Sequence, residues 1–322
     1  MNKITHADAP TKVILSGEHA VVYGFPALVM ALDLKVGATT ELTDRETIVV
    51  TSPELGTYEI DVKASTRRGD QPLMAATEVA AHVKKRIGGG GGLNIRTWGN
   101  APIAAGIGSS ASSFVSVASS CFNALGHEPT KQEVFEAAMV GERIVHENPS
   151  GVDVEIAISG GVIRYAKSKG SSKSPIGAQI PLLVVNTGDP RRTGDMVAKF
   201  RMALENGGET AQLWLNHIGL LTAQIEKALE TENLQLAGAL MTSNHLALSF
   251  FGMSTPHLDK IVFEANKLGA PGAKLTGAGG GGSAIILVTE EVSDKINRRM
   301  NEIGYQSFKA KLSSIGVRSW QE

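Results

Sequence analysis

Cysteine is nearly absent from this 322-residue chain, and the single residue, Cys121, cannot form an internal disulfide. A disulfide-stapled secreted scaffold is therefore excluded, and a reducing cytoplasm is the expected compartment. Cys121 lies in an apolar run and reads as a small buried hydrophobe. Surplus charge is also lacking. Thirty-one Lys and Arg face 32 Asp and Glu, so no basic excess points to nucleic acid and no acidic tail to a solvating segment. No run approaches the ~18 apolar residues of a membrane span, and Met1–Pro10 lacks the apolar centre of a signal peptide. The expectation is no nucleic-acid partner and no membrane. A Walker A loop is missing, because no Gly-Lys-Ser/Thr follows a glycine loop, and so is a dinucleotide fingerprint after a first strand. His19 has no second His or Cys at ligand spacing, which removes a zinc reading.

Glycine is what the chain has in quantity: 36 residues, gathered into a few loops. The most informative is Pro102-Ile-Ala-Ala-Gly-Ile-Gly-Ser-Ser-Ala-Ser-Ser113, which runs into helix-like sequence from Phe114 to Leu125. A loop of small residues opening into a helix leaves backbone N–H groups facing outward, at the positive end of the helix dipole. A serine in that first turn can cap the helix or sit beside a metal that rides on phosphate. This reading points to a nucleoside triphosphate with Mg²⁺.

Along the rest of the chain, short strands are expected at Lys12–Leu15, Val36–Leu42, Thr47–Thr51, Tyr58–Val62 and Leu93–Trp98. Pro72–Ile87 repeats Leu73, Ala76, Val79, Ala80 and Val83 at helical spacing. Gly88–Gly92 reads as a C-cap followed by a flexible hinge. A second helix is expected from Lys131 to His146, broken by Asn148-Pro-Ser-Gly-Val-Asp153. Lys167–Gln179, rich in Ser, Lys and Gly, is the expected domain boundary. The second half alternates strands (Pro181–Val185, Ser283–Val288, Gln306–Leu312) with helices at Met196–Leu204, Gln212–Glu230, Leu234–Ser249, Thr255–Lys267 and Glu291–Ile303. Two α+β domains with a cleft between them follow. Trp98, Trp214 and Trp320 read as packing, and His245 as structural.

Four motifs then stand in order: Pro10-Thr-Lys-Val-Ile-Leu-Ser-Gly-Glu-His-Ala-Val-Val-Tyr-Gly24, the loop at 102–113, Gly141-Glu-Arg-Ile-Val-His-Glu-Asn-Pro-Ser-Gly-Val-Asp153, and Lys274-Leu-Thr-Gly-Ala-Gly-Gly-Gly-Gly282. Together they resemble the GHMP kinase superfamily, and the Gly-Glu-His-Ala-Val-Val-Tyr-Gly segment is similar to that of its mevalonate kinases. The resemblance implies an α+β, two-domain GHMP kinase fold. An N-terminal, ATP-binding domain (1–175) would resemble a ribosomal protein, and a C-terminal domain (176–322) would be ferredoxin-like. It implies ATP and Mg²⁺, and mevalonate phosphorylated on its C5 hydroxyl. Asp153 matches the catalytic aspartate and Lys12 the lysine that contacts it. Pro102, Ala105, Gly106, Ile107, Gly108, Ser109 and Ser110 match the phosphate loop. Ser110 and Glu142 match the Mg²⁺ ligands. Glu18, His19, Arg191 and Thr193, with Gly277 and Ala278, fall at the substrate. The family also implies a homodimer.

The chemistry agrees with that assignment. Phosphoryl transfer needs an oriented hydroxyl and charge neutralisation but little covalent work. Asp153, expected on a bend, is placed to take the hydroxyl proton, with Lys12 keeping it ionised. The glycines of 276–282 read as a flexible wall beside the phosphates. Two positions depart from the mevalonate kinase pattern: Val154-Glu155 after the aspartate, and Arg192 beside Arg191. Adjacent arginines suit a substrate that already bears phosphate, which keeps a kinase of mevalonate 3- or 5-phosphate as an alternative. A decarboxylating relative of the same fold lacks the Gly-Glu-His segment. A non-catalytic sensor does not need Lys12, Ser110, Glu142 and Asp153 together.

Overall fold

The computed structural model describes residues 4–62, 71–101, 106–146, 149–177, 179–190 and 193–322. The expected site residues Pro102, Ala105 and Arg191 lie outside the described residues, as does Arg192.

Two long antiparallel strands organise the first half: β1 (Ile4–Ser16) and β2 (Ala27–Thr43). One end of β2 pairs with β5 (Gly92–Gly99) and the other with β6 (Val162–Ala166). β3 (Thr47–Ser52) runs parallel to β5, and β4 (Gly56–Asp61) closes that edge. A parallel pair needs a crossover, supplied by α1 (Gln71–Ile87). Its apolar stripe, Leu73, Val79 and Val83, shares a core with Ile48, Val50, Leu93 and Ile95, the inward side chains of the strands. Helices α2 (Ser109–Ala124), α3 (Lys131–Val145) and α4 (Val152–Ser159) complete this layer. Serine-rich sequence is a poor helix former, yet α2 begins at Ser109, well before Phe114. Ser112 donates to the Pro10 carbonyl (2.7 Å) and Ser116 to that of Val36 (2.7 Å). Tertiary bonds thus override local propensity.

The second sheet contains β8 (Leu182–Asn186), β9 (Gly272–Thr276), β10 (Ser283–Leu287) and β11 (Gln306–Ala310), all antiparallel, in the order β11-β8-β10-β9. This is the strand order of a ferredoxin-like sheet. β9 and β10 are buried at every residue, which explains their unbroken apolar character. Five helices accompany it: α5 (Thr193–Asn206), α6 (Gly208–Glu230), α7 (Leu234–Phe250), α8 (Pro256–Lys267) and α9 (Glu290–Glu302). Val13, Leu15 and Met30 of the first sheet share one core with Leu182, Val184 and Ile285 of the second, so the halves are packed together.

Several elements differ from expectation. β1 starts eight residues before Lys12 because its polar residues are satisfied inside the protein. Thr5 donates to the Ser120 carbonyl (2.9 Å), and Asp8 pairs with Lys35 and Arg318. The segment after α3 resumes as α4. The expected boundary segment holds a strand, β7 (Gly170–Lys173), paired with β6. Finally, β12 (Arg318–Gln321) returns to pair with β1, so the first sheet includes the end of the chain.

Candidate active site

A cleft of about 2250 Å³ opens between the two halves and is lined by Lys12, Glu18, Gly108, Glu142, Asp153 and Ala278, among others. On its floor the glycine loop lies against β1. The Lys12 backbone N–H donates to the Ile107 carbonyl (2.7 Å). Gly108, at φ 74°, forms the N-cap of α2 without a side-chain cap. A Cβ there would stand 2.9 Å from Lys12 Cγ, so only glycine lets the lysine pass beneath. The first turn of α2, with Ser109 and Ser110, consequently faces the cleft with its unpaired N–H end.

Lys12 Nζ sits 3.1 Å from Asp153 Oδ1. Asp153 occupies the first turn of α4, not a bend, and the positive end of that helix favours its carboxylate. Gly151 caps α4 at φ 80°, where a Cβ would meet the Phe135 ring at 2.8 Å. Glu142 arrives from α3. Its neighbour Gly141 lets α3 close on the Phe114 ring, 2.8 Å from where a Cβ would be, and Ser110 Oγ then donates to Glu142 Oε1 at 3.3 Å. Burial, reinforced by the Asp153 charge, pushes the Glu142 carboxyl up to about 7, against the pull of Ser110 and Lys12.

The other wall is built on Gly17-Glu18-His19. His19 has a left-handed backbone (φ 58°). Its ring stacks on Phe200, with centroids 4.7 Å apart, and Nε2 lies 2.9 Å from the Ala278 carbonyl. Burial pulls its pKa down to about 4, so the ring is neutral at pH 7 and Nε2–H donates to Ala278. Glu18 forms a buried ion pair with Lys274 of β9. Burial pushes Glu18 up and Lys274 down, and their mutual attraction opposes both shifts. Glu18 Oε2 keeps no hydrogen-bond partner. Thr193, at the start of α5, and Gly277 also line the cleft.

The structure therefore brings together Lys12, Gly106, Ile107, Gly108, Ser109, Ser110, Glu142 and Asp153 on the floor, and Glu18, His19, Thr193, Gly277 and Ala278 on the wall. The glycines after Ala278 are not a flexible wall. A Cβ at Gly279 would lie 2.2 Å from the Met253 carbonyl oxygen, and one at Gly280 would lie 2.4 Å from Met196 Sδ. Gly91 and Gly92 likewise press on the β2–β3 turn rather than forming a hinge, with Cβ positions 2.2 Å from the Thr43 and 1.8 Å from the Thr47 carbonyl oxygens. Sequence reasoning passed over Lys274 and Phe200 as individual residues. The one available signal was a cation inside the otherwise apolar strand Gly272–Thr276. His245 is structural: Leu275 N–H donates to its Nδ1 (3.2 Å), so Nε2–H donates to Asp259 (3.0 Å).

A cleft between a ribosomal-protein-like layer and a ferredoxin-like sheet, floored by a glycine-serine loop and a Lys–Asp pair, defines a small-molecule phosphotransferase. The sequence matches the GHMP kinases N terminal domain over residues 74–161 and the GHMP kinases C terminal domain over residues 225–306. It is 31% identical over 326 residues to a mevalonate kinase of Thermococcus sibiricus, covering 97% of each chain. The fold matches the mevalonate kinase of Methanococcus jannaschii with a TM-score of 0.84 and 26% identity, over 96% of this chain and 98% of that one. It matches the L. major mevalonate kinase in complex with R-mevalonate equally well, with a TM-score of 0.84, 26% identity and 95% of both chains covered. The chain belongs to the GHMP kinases and is an ATP-dependent small-molecule kinase.

Proposed function

We propose that this chain transfers the γ-phosphoryl group of ATP to the C5 hydroxyl of mevalonate. The observation that supports this most is the 3.1 Å Lys12–Asp153 pair, set in one crevice with the N-terminus of α2. Asp153 accepts the hydroxyl proton as that oxygen bonds to the γ-phosphorus. The bond to the bridging oxygen breaks, and ADP leaves. Lys12 orients the Asp153 carboxylate and adds positive charge beside the transferring group. Gly106, Ile107, Gly108, Ser109 and Ser110 offer backbone N–H groups to the phosphates, with Pro102 and Ala105 on the same loop. Glu18, His19, Thr193, Gly277 and Ala278 surround the acceptor, Arg191 is assigned to it from its sequence motif alone, and Glu18 Oε2 has spare capacity for a substrate hydroxyl. Residues 1–175 serve the nucleotide, and residues 176–322 close the cleft.

Ser110 and Glu142 fit Mg²⁺. Their oxygens stand 3.3 Å apart, and Asp153 crowds Glu142 with negative charge that a dication would relieve. When bound, the ion neutralises charge on the phosphate oxygens.

Asp153→Asn tests the reading in a coupled ADP-release assay. Turnover is expected to fall by about 10³-fold or more with ATP affinity retained. Undiminished turnover would falsify the base assignment. Parallel assays with mevalonate 3- and 5-phosphates should give much lower kcat/KM than mevalonate, and a preference for either phosphate would overturn the substrate.

A further inference from the structure

Strand β9 carries a cation where its neighbours are apolar. Lys274 is 0% exposed, between Ala273 and Leu275, which are also fully buried. Its ammonium donates to the Leu275 carbonyl (2.6 Å) and to Glu18 Oε1, 256 positions away in the chain. A buried ion pair of this kind is poor evidence for stability, because apolar residues of similar volume often hold a fold as well or better. The fold alone therefore does not account for the lysine, but the position of its partner does. Glu18 is 2% exposed, lines the cleft and leaves Oε2 without a hydrogen-bond partner.

Glu18 and His19 lie on a backbone that its surroundings must hold. Gly17 (φ 92°) and His19 (φ 58°) both have positive φ, and a histidine keeps that conformation only when neighbouring contacts impose it. β9 and the turn after it supply such contacts. Lys274 grips the Glu18 carboxylate. Thr276, two residues on and on the same side of the strand, bonds to both backbone groups of Ile14. The Ala278 carbonyl then accepts from His19 Nε2–H (2.9 Å). Of these contacts, the one from Lys274 sets the direction of a carboxylate. Lys12, the other cation that acts on Glu18, stands 3.1 Å from Asp153 and is engaged there.

We infer that Lys274 is a positioning residue for substrate selection: it anchors Glu18 by Oε1, so that Oε2 is presented to the substrate hydroxyl that is not phosphorylated. This role rests on the mevalonate reading. Mevalonate carries hydroxyls on C3 and C5, and Asp153 serves the C5 oxygen. The C3 hydroxyl is left to donate to Glu18 Oε2, which has no other partner. A substrate without that hydroxyl leaves a buried oxygen unpaired, which costs more than the hydrogen bond itself gains, so the site discriminates against it. Without Lys274 the Glu18 carboxylate turns away or takes up a proton in its buried site, and the discrimination goes with it.

Steady-state kinetics on mevalonate and on 3-deoxymevalonate, which lacks only the C3 hydroxyl, test this role. The wild type should prefer mevalonate by about 100-fold or more in kcat/KM. Lys274→Met should bring that ratio to within about tenfold of one, chiefly through a raised KM for mevalonate, with the KM for ATP unchanged. A lysine that only held the fold together would, once removed, lower activity on both substrates alike and leave the ratio as it was. Lys274→Met with Glu18→Gln leaves no lone charge in the buried site, so it should fold even where the single variant does not, as circular dichroism can check. Its ratio should fall equally far. A wild-type ratio near one overturns the role of Lys274, as does an unchanged ratio in Lys274→Met or a double variant that discriminates like the wild type. A wild type that turns over neither substrate overturns the mevalonate reading, and this role with it.

Discussion

Glu142 and His19, on opposite walls of the cleft, respond to burial in opposite senses. Glu142 titrates near 4.5 in an unfolded chain and about 7 in the fold, so the folded state holds the extra proton between these values. Its contribution to stability is present below 4.5 and is lost as pH rises to 7. His19 titrates near 6.5 unfolded and about 4 folded, so the unfolded chain holds the extra proton, and stability is lost as pH falls through that window. The two slopes largely cancel in the wild type. In metal-free buffer, Glu142→Gln should gain about 3 kcal/mol relative to wild type between pH 4.5 and 7.5. Urea unfolding at the two pH values measures this, and a constant difference would contradict the assignment. Lys274→Met strands Glu18 in a buried site and should cost about 3–5 kcal/mol, whereas Lys274→Met with Glu18→Gln should cost less. Chemical denaturation of the three variants separates the two effects. Burial pushes the Cys121 thiol up to about 12, so iodoacetamide should label it only after unfolding.

At the scale of elements, two glycine runs need glycine for close packing. Gly92→Ala should destabilise by several kcal/mol, because its Cβ would fall 1.8 Å from the Thr47 carbonyl oxygen. Gly90 has open space and an ordinary backbone, so Gly90→Ala should be nearly neutral. Equal thermal shifts would return the run to the status of a hinge. Apolar periodicity made α1 readable, and β-branched runs did the same for β3 and β8. The shape of the cleft floor was readable too, since glycines before serines and an acidic residue after Ser-Gly-Val are local signals. Three elements were not. β1 hides its N-terminal half behind Thr5, His6 and Asp8, whose partners are far away in sequence. α4 begins at a glycine N-cap, and its eight residues are too few for a period to register. β12 has four exposed residues, and its register with β1 is a property of the assembled sheet.

For the whole molecule, what matters is how the two sheets are joined. Thr276 Oγ1 accepts from Ile14 N–H and donates to the Ile14 carbonyl, both at 3.0 Å, which stitches β9 to β1 beside the Glu18–Lys274 pair. Thr276→Val removes both bonds and leaves two backbone groups in a buried site, an expected loss of about 2–4 kcal/mol by denaturant titration. A smaller effect than Ser16→Ala, which breaks the single contact to Thr222 (2.8 Å), would show that the stitch is dispensable. Such junctions pair residues more than 200 positions apart. Only the order of the motifs, not their distance in space, is present in the sequence.

The return of β12 to β1 also bears on how the protein is made. Arg318, Ser319, Trp320 and Gln321 lie against Asp8, Ala7, His6 and Thr5, so β1 waits for a strand made some 310 residues after it. Until β12 docks, β1 presents a bare backbone edge, and Asp8 is paired with Lys35 but not with Arg318. A chain truncated before Arg318 should therefore be more prone to aggregate than one that carries β12, as light scattering of the two can measure. β12 thus acts as a late clasp on a strand laid down some 310 residues earlier, as the Asp8–Arg318 contact shows.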